Sequence, residues 1–160
     1  MIVIVMGVTG AGKTTVGGAL AESLGAVFLD ADDYHPPANV AKMRAGTPLT
    51  DEDRRPWLAR LNEVLRGHAA RGAAMVLACS ALKASYRAVL LQDLPDARLV
   101  YLRGTRETIA ARLAARKGHY MNPALLDSQF AALEEPADAI AVDIEGESRE
   151  VVAAILAALA

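Results

Sequence analysis

Gly7-Val8-Thr9-Gly10-Ala11-Gly12-Lys13-Thr14 is the stretch that decides the fold. It spells G-x-x-x-x-G-K-[ST], and each fixed position has a physical task. The glycines let the backbone wrap closely with its N–H groups turned inward. A helix that starts there adds the positive end of its dipole. Lys13 supplies a point charge for the β- and γ-phosphates of a nucleotide, and the Thr14 hydroxyl is a ligand for Mg²⁺. The candidate nucleotide-binding residues are therefore Gly7, Val8, Thr9, Gly10, Ala11, Gly12, Lys13 and Thr14, with Thr15 from the first helical turn.

The flanks fit this reading. Ile2-Val3-Ile4-Val5-Met6 is continuously apolar and mostly β-branched, as in a strand covered on both faces. A helix is expected from about Thr14 to Leu24, then a second buried strand over Ala26 to Leu29. A loop with prolines leads to a short helix near Val40 to Arg44, which Gly46-Thr47-Pro48 breaks. Thr50-Asp51-Glu52-Asp53 is a capping-box pattern for a helix running to about Arg71, with Pro56 in its tolerant first turn. Further strands are expected at Ala74 to Ala78, Leu99 to Leu102 and Ile140 to Val142. Helices fill the gaps at Lys83 to Leu91, Thr105 to Lys117, Pro123 to Leu133 and Glu147 to Leu159. Apolar strands alternating with helices predict an α/β fold of the P-loop NTPase kind, a five-stranded parallel sheet covered by helices on both faces. Ligands of such sheets sit outside the carboxyl ends of the strands. Three polar clusters begin there: Gly7 to Thr15, Asp30 to His35, and Cys79 to Lys83.

A chain of 160 residues fits a single domain, here residues 1–160. The formal net charge of −2 argues against a general nucleic-acid surface, which carries a basic excess. Cys79, the only cysteine, cannot form an internal disulfide and suits a reducing compartment. The N-terminus lacks the order of a signal peptide, and the apolar runs 2–6 and 151–160 are too short to span a bilayer. A cytoplasmic protein with no nucleic-acid or membrane partner is expected. No His/Cys group has zinc-ligand spacing.

Strand alternation would point Asp30 and Asp32 the same way and turn Asp33 off that line. A kinase acting on a hydroxyl needs a carboxylate beside the acceptor oxygen to orient it and take its proton. Asp32 is the candidate base, although the residues alone leave Asp33 open for that role. Asp33 and His35 are candidate acceptor contacts. Asp30 or Asp32 could hold Mg²⁺ through water, while a plain turn-capping role is the competing use of Asp30 and Asp33.

Taken together, these residues resemble the small P-loop gluconokinases of bacteria and eukaryotes, the thermoresistant gluconokinase family. The resemblance runs from Val5 to about Asp143. It is carried by Asp30-Ala31-Asp32-Asp33-Tyr34-His35-Pro36 with Asn39, Lys42 and Met43. It continues through Pro48-Leu49-Thr50-Asp51-Glu52-Asp53-Arg54-Arg55-Pro56-Trp57-Leu58 and Cys79-Ser80-Ala81-Leu82-Lys83 with Tyr86 and Arg87. Arg112, Arg116, His119, Ser128-Gln129-Phe130 and Leu133-Glu134-Glu135-Pro136 complete it. Gly17-Gly18 departs mildly, since alanine-like residues are commoner there. The resemblance implies a nucleoside-monophosphate-kinase-like fold, ATP and Mg²⁺, gluconate as acceptor, 6-phospho-D-gluconate as product and often a homodimer.

Further roles follow from it. Gluconate carries a carboxylate, and Arg54 resembles the acceptor-binding arginine of related kinases. Lys83 and Arg87, spaced i, i+4, are candidate acceptor donors, and Ser80 is the expected N-cap of the helix after it. Trp57 is core or a wall of the acceptor pocket. Helices about 36–71 form the substrate-binding side. Residues about 112–124 look like a lid with Gly118 as hinge. Arg112 and Arg116, again i, i+4, are expected to stabilise charge on the transferred phosphoryl group, making Lys13, Asp32, Arg112 and Arg116 the candidate catalytic set. Two competing functions remain at this stage: a shikimate or nucleoside monophosphate kinase of the same fold, and a regulatory protein that binds nucleotide without turnover.

Overall fold

The structure, a computed structural model, describes residues 1–116 and 123–160. The Gly118 hinge, His119 and the rest of the stretch 117–122 within the expected lid lie outside the described residues.

The apolar run at the N-terminus becomes β1 (Ile2–Met6), buried at every position. It can be so because it lies in the middle of the sheet. β2 (Val27–Asp30), β3 (Met75–Ala78), β4 (Arg98–Arg103) and β5 (Ile140–Asp143) join it in the order β2-β3-β1-β4-β5. Every pairing is parallel, and β1 aligns Val5 with Ala78 on one side and Val100 on the other. The helices are α1 (Lys13–Leu24), α2 (Pro37–Arg44), α3 (Asp51–Ala70), α4 (Ala84–Leu90), α5 (Arg106–Ala115), α6 (Pro123–Ala132) and α7 (Ser148–Leu159).

The period of two along β1 divides the core. Val3 and Val5 pack with Val16 and Leu20 of α1, Ile109 of α5 and Ile155 of α7. Ile2, Ile4 and Met6 face the other way, against Leu58, Leu61 and Leu65 of α3 and Leu90 of α4. This is the expected sheet covered on both faces. Among the described residues, no helix is long and apolar enough to cross a membrane.

Two local expectations change. After β2 the chain does not continue as a strand but turns into a 3₁₀ segment, Ala31–Tyr34, because Asp30 Oδ1 accepts from the Asp32 N–H at 3.0 Å. Strand alternation therefore stops at Asp30 and cannot orient Asp32. Ser80 also does not cap α4. That helix opens at Ala84, after Lys83, and Glu134 Oε1 accepts the Ala84 N–H at 2.7 Å from fifty residues away. The delay comes from Ala81, which has a left-handed φ of 46°. The Arg87 guanidinium holds that turn by donating to the carbonyls of Ala81 and Leu82.

The capping box of α3 forms in full. Thr50 Oγ1 accepts the Asp53 N–H at 3.1 Å, and the Asp53 carboxylate accepts the Thr50 N–H at 2.8 Å. Lys42 Nζ reaches the same carboxylate at 2.7 Å, tying α2 to α3. The Lys42 bond first, and then the Thr50 bond, hold the Asp53 pKa down to about 2.

The glycine pair of α1 offers a test of this packing. A Cβ at Gly17 would meet the Phe28 ring at 2.8 Å, whereas a Cβ at Gly18 would meet nothing within 4 Å. Gly18→Ala should stabilise the protein by about 0.5–1 kcal/mol, the mid-helix difference between the two residues. Gly17→Ala should forfeit that gain by displacing Phe28. Urea unfolding of both variants measures the contrast; equal gains would show that Phe28 does not press on α1.

Candidate functional site

At the carboxyl edge of the sheet the chain encloses a cavity of about 430 Å³. Thr9, Gly10, Lys13 and Thr14 form one wall, at the junction of β1 and α1. The loop turns at Gly10 (φ 87°) and Gly12 (φ 94°), a left-handed conformation costly for other residues. Space adds to the demand at Gly10, where a Cβ would lie 2.9 Å from Leu113. Lys13 folds back so that its Nζ donates to the Val8 carbonyl at 3.0 Å. Burial pulls its pKa below the usual lysine value, while Asp32 and Asp30 oppose that pull.

The second wall is acidic. Asp30 Oδ2 accepts from the Thr14 hydroxyl at 3.1 Å, and Asp32 lines the cavity beside it. The Asp32 side chain is 85% exposed, so its desolvation is partial; that, and then the Asp30 charge, push its pKa up from the ordinary carboxylate value. His35 Nε2 lies 4.0 Å from Asp32 Oδ1, and the His35 side chain is only 5% exposed. The ring stacks on Trp57 with centroids 4.1 Å apart, and Trp57 Nε1 donates to the Ala31 carbonyl at 2.7 Å.

The tautomer of His35 follows from its other neighbour. The buried Asn39 amide nitrogen donates to the Asp53 carbonyl at 2.9 Å and lies 3.2 Å from His35 Nδ1. A carbonyl only accepts, so the NH₂ must face it, and its second hydrogen then meets Nδ1. Nδ1 is thus the lone-pair acceptor, and the ring proton sits on Nε2, facing Asp32. Burial also lowers the His35 pKa, so the ring is held neutral.

The third wall carries Arg54, Trp57, Met43 and Leu49. Arg54 donates to the Leu49 carbonyl at 2.7 Å, and its guanidinium lies 5.4 Å from the centre of the Tyr86 ring. Ala78, Cys79 and Ser80 close the floor at the end of β3. Burial raises the Cys79 thiol to about 12, so it stays protonated and is no nucleophile. Arg116 and Gln129 face the cavity from the side of α5 and α6.

Several expected site residues stand elsewhere. Thr15 and Asp33 are exposed and outside the cavity. Lys83 Nζ pairs with Asp51 at 3.2 Å, and the Tyr86 hydroxyl donates to the same carboxylate at 2.5 Å. The Arg87 guanidinium is buried and taken up by three carbonyls, those of Ala81, Leu82 and Glu134. Arg112 donates to the Ile144 and Gly146 carbonyls, beyond β5 and away from Arg116. The two arginines part because α5 ends at Ala115 and Arg116 is already extended, with ψ at 121°. Helical i, i+4 spacing does not apply across that end.

The sequence reading assigned no role to Asn39 or Gln129. Both lie inside the family-like stretches, and that was the only available signal for Gln129.

Chemically, one cavity brings together a phosphate-binding loop, two carboxylates, a neutral histidine and two arginines. Mg²⁺ binds through few protein oxygens plus phosphates and water. The Thr14 hydroxyl and the carboxylates of Asp30 and Asp32 suit that pattern. Among the described residues no group of three His, Cys, Asp or Glu side chains could hold a metal alone.

Comparison with known proteins gives the same direction. The family model described as an AAA domain matches residues 2–136. The chain is 46% identical to a probable gluconokinase of Xenopus tropicalis, over 97% of this chain and 91% of the relative. It is 40% identical to the thermoresistant gluconokinase of Escherichia coli K12, again over 97% of this chain and 91% of the relative. A crystal structure of a gluconokinase from Sinorhizobium meliloti superposes with a TM-score of 0.89 at 43% identity, covering 98% of this chain and 90% of that one. The APS kinase of Mycobacterium tuberculosis has a TM-score of 0.73 at 19% identity, which speaks to the fold alone. With that identity spread over nearly the whole chain and a kinase site at the sheet edge, the chain belongs to the gluconokinase family of ATP-dependent P-loop kinases.

Proposed function

We propose that this chain transfers the γ-phosphoryl group of ATP to D-gluconate, giving 6-phospho-D-gluconate and ADP. The observation that carries the reading is one cavity with the phosphate loop on one wall, Asp32 on the next and Arg54 on the third. These are the groups needed to receive a nucleotide, a hydroxyl and a carboxylate in one cavity. The names of the relatives supply the acid.

The acceptor hydroxyl oxygen attacks the γ-phosphorus, the bond to the ADP oxygen breaks, and the hydroxyl proton passes to Asp32. Neutral His35 presents Nε2–H to the cavity. It donates to an acceptor oxygen and, having no lone pair there, does not compete with Asp32 for the proton. Arg54 pairs with the gluconate carboxylate. Lys13 leaves the Val8 carbonyl for the phosphates, and Arg116 meets the charge spread over the phosphoryl oxygens. Mg²⁺, held by Thr14 and through water by Asp30 or Asp32, would neutralise charge on the β- and γ-phosphates. The cytoplasm and a homodimer are part of the same reading. A single cysteine, with no internal disulfide to form, suits a reducing compartment, and the dimer rests on the family resemblance.

Mg²⁺-dependent ADP release, measured side by side with gluconate, glucose, shikimate, AMP and no acceptor, tests the assignment. Gluconate should stimulate and glucose should not, because an acceptor without an anionic group leaves Arg54 unpaired and loses about 10⁴-fold or more in specificity. Turnover with glucose would overturn the Arg54 assignment, and turnover with shikimate or AMP in place of gluconate would overturn the acceptor. ATP binding without any turnover would overturn the enzyme. Asp32→Asn should lower kcat by roughly 10²–10⁴-fold, the usual weight of a general base. Arg54→Ala should act mainly on KM for gluconate, by about 10–100-fold for a charged hydrogen bond.

The pH profile has a definite sign. A base works only when deprotonated, so activity falls as pH drops through the Asp32 pKa. That pKa is raised, which puts the acid limb above the ordinary carboxylate range. Asp30→Asn removes the neighbouring negative charge and should move the limb to lower pH, though only part of the way, since desolvation is the larger cause. A limb that stays in place in Asp30→Asn would assign it to another group.

A further inference from the structure

Gln129 of α6 makes two bonds to Thr9, a residue 120 positions earlier in the phosphate loop. Its Oε1 accepts the Thr9 N–H at 2.7 Å, and its Nε2 donates to the Thr9 Oγ1 at 2.7 Å. A backbone N–H can only donate, so it fixes which end of the amide faces it. Oε1 must point at the N–H, and Nε2 must then point at the hydroxyl. The hydroxyl oxygen is thereby an acceptor, and its own hydrogen is left to point elsewhere. Thr9 lines the cavity together with Lys13 and Thr14.

The same peptide group is held from its other end. The Thr9 N–H and the Val8 C=O belong to one planar unit. The Val8 carbonyl accepts from Lys13 Nζ at 3.0 Å and from the Ala11 N–H at 3.2 Å. Gln129 and Lys13 therefore grip opposite ends of one peptide plane before nucleotide binds, and once Lys13 moves to the phosphates Gln129 and the Ala11 N–H are left to hold it. If the N–H lost its acceptor, the plane could rotate and carry the resting place of Lys13 with it.

The helix that carries Gln129 is anchored separately from the loop. Asp127 pairs with Arg106 of α5, and Leu126 is buried in the core. Gln129 is thus presented by an element that also has contacts of its own to α5 and the core.

We infer that Gln129 is a positioning residue of the phosphate loop, which fixes the Val8–Thr9 peptide and turns the Thr9 hydroxyl proton into the cavity as a donor to the terminal phosphoryl group of ATP. The donor serves a group that ATP has and ADP lacks, so it favours the triphosphate. The inference depends on phosphoryl transfer from ATP and is independent of which acceptor the enzyme uses.

The test is calorimetric titration of the whole protein with ADP and with a non-hydrolysable ATP analogue, both with Mg²⁺, using Thr9→Val, Gln129→Leu, Gln129→Glu and the Thr9→Val/Gln129→Leu double variant. Thr9→Val keeps the N–H and loses only the hydroxyl. It should weaken the analogue by about tenfold, as for one hydrogen bond to a charged group, and leave ADP nearly unchanged. Gln129→Glu keeps an acceptor for the N–H but must also accept from the hydroxyl, turning its proton away from the cavity. It should therefore show the same selective loss while the far-ultraviolet spectrum and melting point stay near wild type. Gln129→Leu should weaken both nucleotides, since it also frees the peptide plane, and adding Thr9→Val to it should cost little more. Equal losses for both nucleotides in Thr9→Val, or losses that simply add in the double variant, would overturn the inference. Should Gln129→Leu fail to fold, the comparison of Thr9→Val with Gln129→Glu decides the matter alone. Failure of gluconate as acceptor leaves these titrations untouched.

Discussion

A parallel sheet covered on both faces has one place to do chemistry. Its strands are apolar in their middles, and their flanks are covered by α1, α5 and α7 on one side and α3 and α4 on the other. Polar groups can then collect only where the strands end. β1 is the central strand, so the loop that leaves it emerges between the ends of β3 and β4. Everything else in the site is placed relative to that exit. Asp30 ends β2, Cys79 and Ser80 follow β3, and Arg116 ends the helix after β4. The cavity is a consequence of this topology before any catalytic residue is considered.

Burying charge at that edge sets the chemistry. Lys13 is desolvated, which weakens its hold on its own proton, and the nearby carboxylates restore part of it. Asp32 is raised by desolvation and by Asp30, and is drawn back by His35 and Lys13. Neither group is fully balanced by its protein neighbours alone. Incoming phosphates give Lys13 a better partner than a carbonyl, and Mg²⁺ beside Asp30 would relieve the crowding of the two carboxylates. The site is thus arranged around charges that arrive with the substrates.

Much of this was legible in the sequence, and the losses have local causes. The phosphate loop, the five strands and the α3 capping box could be read because each depends on residues close together in the chain. Thr50 and Asp53 need nothing beyond their own turn. Ser80 failed as a cap because the true partner of α4, Glu134, comes from fifty residues away. Arg87 matched the family pattern, yet its guanidinium serves the left-handed turn at Ala81. Arg112 and Arg116 share a helical spacing that ends one residue too early. Tertiary partners decide each of these cases, and no local pattern encodes them. Family-like stretches mark that a residue matters, but they do not separate contact with substrate from contact with the chain.

That distinction also bears on how the acceptor half of the cavity is charged. Lys83 has the right sign for an acidic acceptor, but Asp51 already neutralises it, and Tyr86 shares that carboxylate. Arg54 differs. Its hydrogen bond goes to a carbonyl and its ring contact to Tyr86, while the Asp51 carboxylate that feels its charge is already bonded to Lys83 and Tyr86. Of the two, Arg54 alone lines the cavity. An acceptor carboxylate would give this half-buried guanidinium a bidentate partner of its own, which an uncharged sugar lacks. Arg54 thus asks for an anionic group on the acceptor, a narrower requirement than the phosphate loop alone imposes.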